Sequence, residues 1–181
     1  MLILASASPR RHDLLLASGI DHRVQPVNIL ERILDGEDPQ SFVQRLARWK
    51  AHAVSLSPGD RALGADTIVC LGGQILGKPR GSADAARMLH LLSGRDHTVL
   101  TGICLRSEEK AIVDLAVTRV SFVSLSAAEI EDYVNSGEPT DKAGAYAIQG
   151  LASKFVSGIE GCYHNVVGLP VSLVYRYLKL L

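Results

Sequence analysis

The run at 61–71, Arg-Ala-Leu-Gly-Ala-Asp-Thr-Ile-Val-Cys-Leu, sets the tightest limit on the fold. Its apolar residues are nearly continuous, not alternating, which is the pattern of a strand in a sheet covered on both faces. Asp66 breaks the run. A carboxylate inside such a strand costs several kcal/mol unless it is paired or bound to metal. Functional sites are where costs of that kind persist, so Asp66 is the first candidate for chemistry. Gly72-Gly73 is a two-residue hairpin signal. The return strand at 74–76 ends in Gly77-Lys78-Pro79, which holds Lys78 at the end of the hairpin that carries Asp66. A lone exposed lysine is the ordinary alternative.

The N-terminus supplies a second constraint. Residues 1–4 are apolar and short, as in a buried first strand, and Ser8-Pro9 reads as the cap and first position of a helix. Leu14, Leu15 and Leu16 are expected to form its core face, and Gly19 its stop. Arg10 and Arg11 then fall in the first turn, where free N–H groups and the helix dipole already concentrate positive charge. Small residues, free backbone donors and two guanidinium groups suit an anion, best matched to phosphate. The competing reading is a solvated arginine pair.

The rest of the chain alternates helices and strands early and is rich in hairpins in the middle. Residues 22–27 suit a short strand, and 28–39 is an acidic loop carrying Glu31. Asp38-Pro39 caps a helix expected to run to about 56. Lys50 lies on its apolar stripe with Phe42, Val43, Leu46, Ala47, Ala53 and Val54, so it either snorkels past the core or points into a cleft. Further helices are expected at 82–92 and 126–135, the latter with a Ser126/Glu129 capping box. A long antiparallel hairpin is expected over 97–123. The segment 141–150 is small and Gly-rich and reads as a close-contact loop, in which Gln149 offers a donor and an acceptor to a base edge. A strand at 155–159, a loop at 161–168 and a helix from Pro170 complete the chain. The pattern predicts an α/β fold bordering on α+β, with an elongated mixed sheet flanked by helices and no separable linker.

Bulk properties exclude several classes. Formal net charge is zero, from 19 basic and 19 acidic residues, so no global field favours nucleic acid or membrane. Three widely spaced cysteines and the lack of CxxC or HExxH argue against a disulfide frame or a zinc site. No run resembles a signal peptide or a membrane span, so a cytoplasmic protein is expected. There is no GxxxxGK[ST], GxGxxG or GxSxG. The remaining constellation is two arginines, two lysines and the carboxylates Glu31 and Asp66. It points to metal-assisted hydrolysis of a phosphate ester or anhydride by direct attack of water, with Mg²⁺ or Mn²⁺ as the ion.

The stretches LASASPRR (4–11), RLARWKA (45–51), GADTIV (64–69), ILGKPR (75–80), LSGRDHTVLTG (92–102), EPTDKAGAYAIQG (138–150) and YHNVVGLPVS (163–172) together resemble the Maf family of nucleoside triphosphate pyrophosphatases, the septum-formation inhibitors. The resemblance spans almost all of residues 1–181 and implies one Maf-like domain. It implies a fold similar to inosine triphosphate pyrophosphatases, two lobes with a central cleft, and a homodimer. It also implies metal-dependent hydrolysis of a nucleoside triphosphate to monophosphate and pyrophosphate. Carried over by motif, Ser8, Arg10, Arg11 and Gln149 would bind substrate, Lys50 and Lys78 would assist catalysis, Asp66 would activate water, and Glu31 with Asp66 would hold the metal. Asn28 and Leu30 stand where the family has two aspartates, Trp49 where it has an acid, and Ala147 where it has glycine. The SPRR and AYxIQG forms resemble the branch acting on dTTP and UTP, a housecleaning activity on pyrimidine nucleotides including modified ones. A nucleotide-binding regulator of septum formation with little catalysis is the alternative.

Overall fold

A computed structural model describes residues 1–181. In chain order the elements are β1 (Leu2–Leu4), α1 (Pro9–Ala17), β2 (His22–Val24), α2 (Pro39–His52), β3 (Arg61–Leu71), β4 (Gln74–Leu76), α3 (Ser82–Leu92), β5 (Asp96–Arg106) and β6 (Ala111–Phe122). They continue as α4 (Ala127–Asn135), 3₁₀ turns at Glu138–Asp141, Ala143–Ala145 and Leu151–Phe155, β7 (Val156–Glu160), α5 (Tyr163–Val167) and α6 (Val171–Leu178). The expected mixed sheet is present, with strand order β2-β1-β3-β5-β6-β7 and β4 paired to β3. β1 runs parallel to β2 and β3, whereas β4 is antiparallel to β3 and β7 to β6.

The chain divides into two compact units. The first comprises Met1–Thr67, Leu100–Ala116 and Gly168–Leu181, and the second Ile68–Val99 and Val117–Val167. The core of the first includes Ile3, Ala5, Ala47, Ala51, Val54, Ala62 and Cys104. Two glycines decide how α2 lies on its sheet. A Cβ on Gly64 of β3 would sit 2.1 Å from the Ala47 carbonyl oxygen, and one on Gly102 of β5 would sit 2.4 Å from that of Val43. Only bare backbone on these strands admits the helix so closely, and Ala47 and Ala51 keep its facing side small. The second unit packs around aromatic rings. Phe122 and Tyr146 meet edge to face at 4.9 Å, as do Tyr133 and Phe155 at 5.3 Å. His97 packs against Phe122 there, with burial pushing its pKa down to about 4 and Tyr146 Oη 2.9 Å from Nε2.

Several boundaries differ from the sequence expectation for identifiable reasons. α2 stops at His52, short of the expected end near 56, with Ala53 at its C-cap. Leu16 is exposed, because Arg11, Leu14 and Leu15, three and four residues apart, occupy the buried stripe of α1. The segment 141–150 contains short 3₁₀ turns, and the expected loop 161–168 contains α5. All three cysteines are free. No helix is long and apolar enough to cross a membrane.

Replacing Gly64 with alanine would force α2 off the sheet. Overpacking of this kind costs about 1–3 kcal/mol. Urea unfolding of Gly64→Ala should show that loss, whereas Gly158→Ser, on the exposed strand β7 with open space where a Cβ would stand, should lose less than half as much.

Candidate active site

The first unit gathers Arg11, Glu31, Lys50 and Asp66 around one buried ammonium group. Gly64 and Asp66 are two apart in β3, so their side-chain positions share one face. Lys50 follows Ala47 by three residues and precedes Ala51, on the side of α2 that meets Gly64. The close approach thus delivers Lys50 to Asp66: Nζ donates to Oδ1 at 2.6 Å, and both residues are buried. The same Nζ lies 2.6 Å from Glu31 Oε1, at the half-exposed end of the pair. Lys50 therefore does not snorkel to solvent; it bridges two carboxylates.

Burial pushes the pKa of Asp66 upward, while Lys50 and then Arg11 pull it back. Burial wins. A carboxyl raised in the folded state contributes stability that is present at low pH and lost as pH rises through its folded value, so the ionised form is held at a cost. A carboxylate so placed is a better proton acceptor than an ordinary aspartate.

Arg11 takes a different place from the one its motif suggests. It is buried, and four of its N–H bonds are used within the protein. Nε donates to the Gly168 carbonyl at 2.8 Å, Nη1 to Ser6 Oγ at 3.1 Å and to the Ala65 carbonyl at 2.9 Å, and Nη2 to Thr67 Oγ1 at 3.0 Å. A guanidinium has five N–H donors, so one remains for a ligand. Thr67 Oγ1 also lies 2.9 Å from Thr101 Oγ1 and donates to Gly168 at 3.2 Å. Arg11 thus ties the β1–α1 loop, both neighbours of Asp66 and the start of the C-terminal segment into one frame. Burial lowers its pKa, Asp66 opposes that shift, and Arg10 adds a smaller lowering, which places the Arg10 charge within electrostatic reach.

The Ser8 hydroxyl does not cap α1, although Ser8 holds the N-cap position. Its N–H donates instead to Ser6 Oγ at 3.2 Å. The amides of the first turn of α1 thus have no side-chain cap, beside a half-buried Arg10. Lys78 and Gln149 belong to the second unit and are exposed. Their loops are linked there, because Gly144 N–H donates to the Gly77 carbonyl at 3.1 Å.

No three His, Cys, Asp or Glu side chains converge as a ready metal cage. Asp66 and Glu31, meeting on Lys50, fit the smaller donor set that Mg²⁺ takes when phosphates and water complete its shell. They suit an ion that arrives with a polyphosphate. Sequence reasoning missed Ser6, Thr67 and Gly168 as partners of Arg11. Ser6 and Thr67 lie within the motifs, but Gly168 is 157 residues from Arg11 and no local signal joins them.

Fold and site together define an α/β protein with a buried acid–base pair beside an uncapped, arginine-bearing helix start. The chain belongs to the family described as Maf-like protein, which matches it over residues 1–181. It is 52% identical to the dTTP/UTP pyrophosphatase of Koribacter versatilis over 179 residues, covering 98% of this chain and 93% of that protein. It is 51% identical to the dTTP/UTP pyrophosphatase of Syntrophomonas wolfei over 178 residues, covering 97% and 94%. Among solved structures, the Staphylococcus aureus Ham1 protein shares the fold, with a TM-score of 0.54 at 15% identity over 98% of this chain and 97% of that one.

The arginines should separate in a stability measurement. Hydrogen bonds made by charged groups contribute about 1.5–3 kcal/mol each, so Arg11→Lys should lower unfolding free energy by at least about 2 kcal/mol. Arg10→Lys, at a half-buried position, should stay within about 1 kcal/mol. Equal losses in urea titrations would contradict the assignment of Arg11 as a brace.

Proposed function

We propose that the protein hydrolyses dTTP and UTP, and modified pyrimidine triphosphates like them, to the nucleoside monophosphate and pyrophosphate. The relatives named dTTP/UTP pyrophosphatase, matched from end to end, support the substrate. The single observation that supports the chemistry is the buried Asp66–Lys50 pair with its raised carboxyl pKa.

In this reading Asp66 accepts the proton of the attacking water. Lys50 holds Oδ1, so Oδ2 receives it. A bond forms between the water oxygen and the α-phosphorus, the bridge from that phosphorus to the β-phosphoryl oxygen breaks, and pyrophosphate leaves with the electron pair. A divalent ion, Mg²⁺ or Mn²⁺, bound by Asp66 and Glu31 would neutralise phosphate charge. Arg10 and the uncapped amides of α1 supply the triphosphate grip together with Ser8. Arg11 contributes its charge and its remaining N–H, but its larger task is to hold the strand at Asp66. Gln149 reads the base. Arg10, Arg11 and Lys50 exceed Glu31 and Asp66 by one positive charge, which favours a polyanion only when most of its charge is met elsewhere, as a bound metal ion would do.

Incubation with dTTP or UTP and Mg²⁺ should release monophosphate and pyrophosphate in equal amounts. Asp66→Asn should lower kcat by about 10²–10⁴-fold, the usual worth of a positioned base. Inorganic phosphate as first product, binding without turnover, or an active Asp66→Asn would each overturn this reading.

A further inference from the structure

The second unit contains a hydrogen-bonded brace that the catalytic reading leaves unused. Tyr133, on α4, is buried, and its hydroxyl donates to Glu138 Oε1 at 2.8 Å. The same hydroxyl accepts the Ala147 N–H at 3.1 Å. The other carboxylate oxygen, Glu138 Oε2, accepts the Leu151 N–H at 3.1 Å. The residues two before and two after Gln149 therefore hang from one phenol–carboxylate pair. Between them the turn is closed by Gly150 N–H donating to the Ala147 carbonyl at 3.0 Å, and Ile148 is buried while Gln149 is exposed. Gly150 makes room for the brace: a Cβ there would lie 2.2 Å from Glu138 Oε2. The Tyr133 ring is fixed in turn against Phe155.

We propose that Tyr133 and Glu138 are positioning residues that set the base selectivity of Gln149. The proposal rests on the pyrimidine triphosphate reading above. Uracil and thymine present an O4 acceptor beside an N3–H donor, and cytosine reverses both. A glutamine amide carries a donor and an acceptor and, by turning over, can satisfy either pattern. The amide favours one orientation only where the polar groups beside it stay fixed, so the loop that carries it must itself be held, since selectivity depends on leaving the wrong partner's polar groups unpaired. The brace supplies that restraint from both sides of Gln149. Burial and the Glu138 carboxylate both push the Tyr133 pKa up, so the phenol stays protonated and donating throughout the working range. Each link strengthens the next, because the phenol accepts from an amide while donating to a carboxylate.

The test compares kcat/KM for UTP and CTP, with Mg²⁺, in the full-length wild type and in Tyr133→Phe, Glu138→Ala, Glu138→Gln and Gly150→Ala. Amide hydrogen exchange is followed at Ala147 and Leu151, with other amides reporting on the fold. Tyr133→Phe, Glu138→Ala and Gly150→Ala should each reduce the UTP-over-CTP preference about tenfold, mostly through a higher KM for UTP, with kcat changed by less than about twofold. Protection at Ala147 and Leu151 should fall with it. Glu138→Gln, which keeps one of the two acceptors and sets an NH2 against the other donor, should fall between the wild type and Glu138→Ala. A purely structural role would lower thermal stability in these variants and leave the ratio unmoved. An active wild type whose variants keep the ratio, or which prefers neither nucleotide, overturns this proposal alone. A wild type that turns over neither dTTP nor UTP overturns the functional reading and the proposal with it.

Discussion

The ion pair between Lys50 and Asp66 is the interaction on which the rest of the first unit depends. It places a carboxylate and an ammonium at the centre of a packed layer, where their mutual attraction only partly offsets lost hydration. Buried pairs of this kind often stabilise a fold no more than apolar side chains of the same volume would. Its surroundings are nonetheless arranged to sustain it. Gly64 and Gly102 bring α2 onto the sheet, Ala47 and Ala51 keep the contact thin, and Glu31 shares the ammonium at the solvent side. A structure that bears such a cost at one point, and surrounds it with close-packed backbone, is organised around chemistry there.

Arg11 extends the same logic. An arginine in the first turn of a helix is electrostatically misplaced unless something compensates. Here the compensation is largely internal: carbonyls of Ala65 and Gly168, two hydroxyls, and the nearby Asp66 charge. The two arginines of one motif thus differ in their surroundings, Arg11 buried and holding the strand on both sides of Asp66, Arg10 half-buried beside it. A comparable division runs through the second unit, where Gln149 is presented to solvent while Tyr133 and Glu138 hold the turn beneath it.

Much of the fold was legible because its signals are local. The continuous apolar run at 61–71, the Gly-Gly turn and the Ser126/Glu129 box each carry their structure within a few residues, and α3, α4 and the β3–β4 hairpin lie where they were expected. Asp66 and Lys50 stood out because each is a charge in an apolar pattern. What stayed hidden was non-local. That Arg11 also braces the fold is not legible from its motif, because acceptors at Ala65, Thr67 and Gly168 lie far away in the chain. Gly64 reads as one more small strand residue until α2 is laid across it. Glu138 and Tyr133 look like ordinary polar members of a helix end and a turn, and only the folded loop shows both reaching the backbone around Gln149. Leu16 shows a further limit: three consecutive leucines cannot all face inward, and the buried Arg11 decided which did.

Carboxyl ¹³C NMR titration of aspartate-labelled protein, read at Asp66, bears most directly on this account. Asp66 should titrate above the ordinary aspartate value of about 3.9, and higher still in Lys50→Met, where the ammonium that favours its ionised form is gone. An Asp66 that titrates at or below the ordinary value, or that is indifferent to the loss of Lys50, would contradict a buried base poised by its lysine.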